Sequence, residues 1–112
     1  MAVTSNLYVD QGSDYSTIIT VKSASGAPLN LTGYTVKSQM RKSFSSSTVH
    51  NFTATVYDTT AGQLKLSLTS AQSEAIVAGR WLYDVEITQT SSGLKKRVVE
   101  GIVTITPQIT QT

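Results

Sequence analysis

Nine consecutive residues decide the fold class: Arg80-Trp81-Leu82-Tyr83-Asp84-Val85-Glu86-Ile87-Thr88. Large apolar side chains stand at every second position of this stretch, and the residues between them are mostly polar or charged. This period of two is that of a β-strand with one buried face. We therefore predict a strand over residues 80–90 that buries Trp81, Tyr83, Val85 and Ile87.

The same alternation extends outward in both directions and is interrupted at short intervals by Gly, Ser, Asp and Pro. About seven strands at this spacing are expected of a two-sheet antiparallel sandwich. We therefore predict an all-β, immunoglobulin-like antiparallel β-sandwich that forms a single domain over residues 1–112. The other predicted strands cover Leu7–Val9, Tyr15–Lys22, Tyr34–Arg41, the alternation from His50 to Val56, Leu64–Leu68 and Leu94–Thr106.

One short helix is predicted over Thr69–Val77. Thr69 with Gln72, or Thr69-Ser70 with Glu74, offers N-terminal capping, and Gly79 offers an exit. For the core, the inward positions of the strands predict a set of largely buried residues: Trp81, Tyr83, Val85, Leu64, Leu66, Val36 and Val103.

Composition restricts the partners. Charged residues make up 14% of the 112 residues, below the usual share of about 25%, and the formal net charge is only +2. This charge is too small for the basic stripe that nucleic-acid binding needs, so we expect no nucleic acid. We also expect a protein made in the cytoplasm without membrane insertion, because the sequence has neither a signal peptide nor a span of about 18 apolar residues.

Candidate catalytic groups are few. There is no cysteine and the single histidine, His50, cannot complete a metal site or a triad alone, so a structural or surface role is expected. Asp84 and Glu86 share one strand face and form a possible carboxylate pair. Cross-strand pairing with Lys96 or Arg97 is the interpretation we favour.

Two further groups of charged residues are weaker candidates for a site. Asp10 and Asp14 flank a turn that lacks the ligand spacing of a calcium loop. The basic cluster Lys95-Lys96-Arg97, with Arg41 and Lys42 elsewhere, could bind an acidic partner or nucleic acid, but the interpretation we favour is a charged sheet edge that prevents uncontrolled strand addition. The prediction is therefore a non-enzyme with no catalytic, cofactor-binding or metal residues, whose candidate contact elements are the 43–48 loop and the two chain ends.

Several segments, in this order and spacing, carry a resemblance to a known family. They are Gln11-Gly12-Ser13-Asp14-Tyr15, Leu29-Asn30-Leu31-Thr32-Gly33-Tyr34-Thr35-Val36, Met40-Arg41-Lys42, Ala78-Gly79-Arg80-Trp81-Leu82-Tyr83-Asp84-Val85-Glu86-Ile87 and Arg97-Val98-Val99-Glu100-Gly101-Ile102-Val103-Thr104-Ile105. Together they resemble the immunoglobulin-like virion domains of tailed bacteriophages, including the N-terminal domain of baseplate upper proteins and small capsid decoration proteins.

The resemblance implies a structural component of the phage particle, located in the virion. A capsid decoration or cement protein that binds the major capsid protein is the expectation, because no coiled coil or receptor-binding region follows the domain in this sequence. A tail, neck or baseplate adaptor is the alternative, and either component could also form a homo-oligomer. A carbohydrate-binding module that uses Trp81, Tyr34 or Tyr57 as a stacking platform is a third hypothesis from another class.

Overall fold

A computed structural model of the protein describes residues 3–23, 25–43 and 45–109. The described part is built from strands and one short helix, which confirms the all-β prediction. The elements are β1 (Val3–Thr4), β2 (Leu7–Asp10), β3 (Tyr15–Thr20), β4 (Tyr34–Arg41), β5 (Val49–Asp58), β6 (Gln63–Leu68), α1 (Ser70–Glu74), β7 (Gly79–Gln89) and β8 (Lys95–Thr106).

The strands form one curled, eight-stranded sheet in the order β1-β8-β7-β4-β5-β6-β3, with β2 also paired to β8. The long strand β5 connects two regions of this sheet. Its first residues, up to Phe52, pair with β4, whereas residues from Thr53 onward pair with β6. The sheet therefore folds over along β5, and the inward faces of its two regions enclose the core.

The first two strands correct the prediction of a purely antiparallel arrangement. Both β1 and β2 run parallel to β8, with Val3 opposite Val99 and Leu7 opposite Val103. Alternation in the sequence locates a strand but does not reveal its neighbour, and a pairing this distant leaves no turn signal. The short strand β1 was likewise not predicted, because the first predicted strand begins at Leu7, so the sheet has one strand more than expected.

The corner before β4 is held by local hydrogen bonds. The Asn30 side chain accepts from the Thr32 amide at 2.9 Å, and the Tyr34 amide donates to the Leu31 carbonyl at 3.1 Å. Gly33 has a φ of +80°, a conformation that glycine adopts without steric cost. Leu31 is buried at this corner.

The helix is shorter than predicted. The Thr69 side chain accepts from the Gln72 amide at 3.2 Å, and the Gln72 side chain accepts from the Thr69 amide at 2.8 Å, so the predicted capping box is present. The helix ends at Glu74 instead of Val77, because Ile76 turns into the core. Gly79 begins β7 and does not form the helix exit.

The core contains six of the seven residues predicted to be buried. Val36 is the exception: it is partly exposed because the β4 segment before Ser38 has no β5 partner beside it. Trp81 is at the centre, 2% exposed, with its indole N–H donating to the Val77 carbonyl at 2.9 Å. The buried apolar residues are Leu7, Val9, Val21, Leu31, Met40, Phe52, Leu64, Leu66, Leu68, Ile76, Trp81, Tyr83, Val85, Ile87, Val98, Val99, Val103 and Ile105.

Candidate protein-binding face

The outward positions of β4, β7 and β8 form a continuous surface, which we call the outer face. The registers of the two strand pairs place nine of these positions side by side in three neighbouring rows. One row contains two apolar residues and all three rows contain charged residues, so the surface offers both kinds of contact to a partner. The rows are Arg41, Leu82 and Ile102; Gln39, Asp84 and Glu100; and Lys37, Glu86 and Arg97.

An ion pair crosses the centre of the outer face. Arg97 Nε lies 3.2 Å from Asp84 Oδ2, and the two side chains are 52% and 35% exposed. A register shift between Val85 and Glu86 allows this diagonal contact while also placing Glu86 opposite Arg97. The favoured interpretation of cross-strand pairing is therefore confirmed for Arg97, whereas Lys96 lies opposite Ile87.

A shallow groove of about 480 Å³ runs over this ion pair. Leu82 and Ile102 line it, and Arg41, Asp84, Glu86 and Glu100 add charge of both signs. It contains neither an imidazole nor a thiol. Its chemistry suits salt bridges and hydrogen bonds to the side chains of another protein.

His50 is half-buried beside the core. Its ring contacts Trp81 edge to face, with ring centroids 5.1 Å apart. Within residues 3–23, 25–43 and 45–109, no group of three His, Cys, Asp or Glu side chains is placed to hold a metal ion. His50 therefore packs against the core tryptophan, away from the groove.

Asp10 and Asp14 act separately. Asp10 accepts a hydrogen bond from the Thr106 hydroxyl at 2.7 Å, which joins the end of β2 to the end of β8. Asp14 accepts from the Ser70 amide at 2.7 Å, which joins the turn before β3 to the start of α1. Both carboxylates therefore connect segments that are distant in the sequence.

The basic residues do not form one patch. Lys95, Lys96 and Arg97 begin β8, ahead of the first pairing of that strand with β1 at Val99. This position agrees with the interpretation as a charged edge. Arg41 donates to the Ser46 carbonyl at 2.8 Å, and Lys42 Nζ donates to the Arg80 carbonyl at 3.2 Å.

The candidate contact elements are only partly described. Arg41 binds the 43–48 loop through Ser46, and the Thr48 amide donates to the Ser46 hydroxyl at 3.2 Å. Phe44 in this loop and the chain ends, residues 1–2 and 110–112, lie outside the described residues. The described part of the loop therefore lies against β4.

Trp81, the main residue of the aromatic platform proposed for carbohydrate binding, is not accessible. Trp81 is buried, with Lys42 Nζ 5.2 Å from its ring centroid, so it cannot stack on a sugar. Tyr34 is partly buried against the core, and Tyr57 is 58% exposed. The alternation that located β7 already placed Trp81 on the inner face, which makes burial the expected result.

Tyr83 was predicted only as a core residue, but its hydroxyl group has a specific partner. It donates to the backbone carbonyl of Ser5, between β1 and β2. The pKa of Tyr83 is raised to about 12, mainly by burial and with a smaller contribution from nearby Tyr15. Burial also raises the pKa of Tyr15, against a smaller lowering from the Thr17 hydrogen bond.

The outer face was not predicted as a site. Gln39, Leu82, Glu100 and Ile102 each occupy an outward position, and the alternation of their strands predicts this. The missing information was the strand order, because β4 and β7 become neighbours only through long-range pairing. No sequence signal joined these four residues into one surface.

Comparisons with known proteins give a fold relationship alone. No protein-family model matches the chain, and no curated protein matches it. The structure is similar to InlP of Listeria monocytogenes, with a TM-score of 0.50 and 13% sequence identity over 94% of this chain. The chain spans 28% of the length of that protein.

No helix among the described residues is long and apolar enough to cross a bilayer.

Proposed function

We propose that this chain is a non-enzymatic structural protein of a tailed-bacteriophage virion, a capsid decoration protein that binds and reinforces the assembled shell. The outer face is the observation that carries the binding role. It combines a groove of about 480 Å³ with apolar, acidic and basic side chains, as protein interfaces do. The resemblance of the corner and the closing hairpin to phage virion domains supplies the location.

The same proposal assigns the curled sheet to the immunoglobulin-like sandwich class. The change of partner along β5 at Phe52 supports this assignment. One layer then contains β1, β2, β8, β7, β4 and the start of β5, and the other contains the rest of β5 with β6 and β3. The outer face belongs to the larger layer and is available to a shell subunit.

A stiff module of this kind attaches through many equivalent copies. Individual contacts can be weak, because binding to a repeating lattice multiplies the effective affinity. The outer face supports this mode through its exposed Asp84–Arg97 pair, whose charges can exchange partners when a shell subunit approaches. No covalent chemistry is required.

Copy number tests the proposal. Intact particles of the encoding phage are analysed by quantitative mass spectrometry, with the major capsid protein as the internal standard. Decoration predicts a fixed simple ratio to the capsid protein and hundreds of copies. About six to a few dozen copies per particle would instead indicate an adaptor in the tail, neck or baseplate. Absence from the particle would overturn the virion role.

Binding to purified shells tests the outer face. The chain should sediment with assembled shells but not with unassembled capsid protein. Arg97→Glu should abolish this co-sedimentation, because it replaces the cation of the central pair with a third carboxylate beside Asp84 and Glu86. Lys65→Glu makes the same charge change on β6, away from the outer face, and serves as the control.

A further inference from the structure

The two ends of the sheet differ in how well they resist strand addition. At one end, β1 and β2 contain two and four residues and are separated by a break at Ser5. At the other end, β3 has six residues, Tyr15-Ser16-Thr17-Ile18-Ile19-Thr20, with no charge, proline or glycine. Natural edge strands are normally short, interrupted or charged, because an open edge pairs with other strands. β3 lacks all of these protections.

The backbone of β3 presents alternate residues to its open side. The Val21 amide donates to the Gly62 carbonyl at 2.7 Å, so the N–H of this odd-numbered residue faces the β6 side. The register of β3 with β6 is unbroken from Tyr15 to Thr20. Since hydrogen-bonding directions alternate along a strand, Ser16, Ile18 and Thr20 direct their N–H and C=O groups to the open side.

An apolar side chain is centred on the same edge. Ile18 is 46% exposed, and its neighbours at the other outward positions of β3 are Ser16 and Thr20. Its cross-strand neighbour on β6 is Lys65. A strand added to β3 therefore gains both the backbone groups of Ile18 and contact with its side chain.

The edge is complementary to itself. In an antiparallel pair with a two-fold axis at Ile18, Ile18 faces Ile18 of the second copy, and Ser16 faces Thr20. The same register places Asp14, whose Oδ1 also accepts from the Ser70 amide, opposite Lys22, so opposite charges meet at both ends. Shifting the pairing by two residues in either direction separates Asp14 from Lys22. All of these opposed residues share one face, as antiparallel pairing requires.

We propose that β3 is a self-association edge through which two copies of this chain join antiparallel, centred on Ile18. This inference is independent of the virion role. The hydrogen-bonded pairs at Ser16, Ile18 and Thr20 supply about six backbone hydrogen bonds. A contact made by one short strand buries less than the roughly 1,000 Å² of a stable interface. We therefore expect a dimer dissociation constant between about 10 µM and 1 mM.

Sedimentation velocity between 10 µM and 1 mM protein measures dimerisation and tests the proposal. The tested variants place a charged residue at position 18, on the two-fold axis. Ile18→Glu should weaken dimerisation by at least about tenfold, because two like charges then face each other. The monomer should stay folded, since a carboxylate at this position faces Lys65. Ile18→Lys should weaken dimerisation to a similar degree, and an equimolar mixture of the two variants should recover it.

Two further variants check the register. Lys22→Glu should weaken dimerisation by placing a carboxylate opposite Asp14 of the second copy. Lys37→Glu makes the same charge change on β4 and should dimerise like the unmodified chain. Circular dichroism confirms that each variant is folded.

Three results would overturn the proposal. An unmodified chain that remains monomeric at 1 mM would show that β3 does not pair with itself, and its partner would then be a strand of a different protein. Normal dimerisation of folded Ile18→Glu would place the contact elsewhere. A mixture of the folded Glu and Lys variants that stays monomeric would exclude the axis at Ile18.

Discussion

The side-chain hydroxyl of Tyr83 donates a hydrogen bond to the backbone carbonyl of Ser5, and this contact links the middle of the sheet to the segment between β1 and β2. Gly101 makes the contact possible. It lies opposite Tyr83 on β8, and a Cβ at this position would collide with the Ser5 carbonyl and lie 3.0 Å from Asn6 Oδ1. The N-terminal segment therefore occupies space that any other residue at position 101 would fill.

Replacing Gly101 should detach this segment. We expect Gly101→Ala to lower the free energy of unfolding by about 1–3 kcal/mol, because the added methyl group overpacks the contact with Ser5. Urea denaturation measures the stability. Hydrogen exchange of the Ser5 and Gln11 amides, which donate to Glu100 and Thr106, measures the detachment.

Gly93→Ala provides the control for this experiment. Gly93 has a φ of +73° with open space around its Cβ position, so alanine there meets backbone strain of about 1–2 kcal/mol but no collision. The Ser5 and Gln11 amides should keep their protection in this variant. Equal exchange in both variants would contradict the role of Gly101.

Alkaline stability should depend on Tyr83. Its pKa is raised by burial from 10.0 to about 12, so the unfolded chain loses this proton first as pH rises. The neutral phenol therefore stabilises the fold fully below about pH 10, and this contribution is lost as pH rises toward 12. Urea denaturation at a series of pH values measures this effect. Between about pH 10 and 12, the free energy of unfolding should fall less for Tyr83→Phe than for the unmodified chain.

Tyr57→Phe is the matched control for the alkaline experiment, because Tyr57 is 58% exposed. The dependence of its unfolding free energy on pH should match that of the unmodified chain. At neutral pH, Tyr83→Phe should cost about 1 kcal/mol, since Ser5 loses its hydrogen-bond donor. If the free energy of unfolding of Tyr83→Phe falls at high pH as much as that of the unmodified chain, another group causes the alkaline destabilisation.

Trp81 should dominate the core energetically. We expect Trp81→Ala to cost about 3–5 kcal/mol, because it removes a fully packed indole and its hydrogen bond to Val77. Thermal and urea denaturation followed by circular dichroism measure this loss. Tyr8→Ala, at a 70% exposed aromatic residue, should change stability by less than about 0.5 kcal/mol.

The central ion pair of the outer face should contribute little to folding. Arg97 is about half exposed, so Arg97→Ala should change the free energy of unfolding by less than about 1 kcal/mol. Denaturation in low and high salt should give nearly equal stabilities for the variant. A loss of several kcal/mol would mean that Arg97 serves the fold instead of a partner.

Local patterns were sufficient to predict most individual strands. The alternation around Trp81 and Tyr83 placed both residues on the buried side, and Thr69 with Gln72 located the start of the helix. The parallel neighbours of β8 could not be predicted, because Val3 and Val99 are joined only in the folded sheet. The outer face was missed for the same reason.

The helix end and the exposure of Val36 show a second limit. Residues 75–77 fit a helical pattern, but burial of Ile76 directs the chain out of the helix first. Val36 alternates correctly with its neighbours, yet the adjacent part of β5 turns away to β6. In both cases the packing of distant segments determines the outcome.

The parallel pairing of β1 and β2 with β8 also determines when the fold can be completed. The Ile102 amide reaches Asn6 across a separation of 96 residues, and β2 has no other strand partner within the described residues. On the ribosome, β1 and β2 must therefore wait until β8 has been synthesised. Contacts between residues so far apart in the sequence slow folding, because the loop between them must be closed before the contact forms.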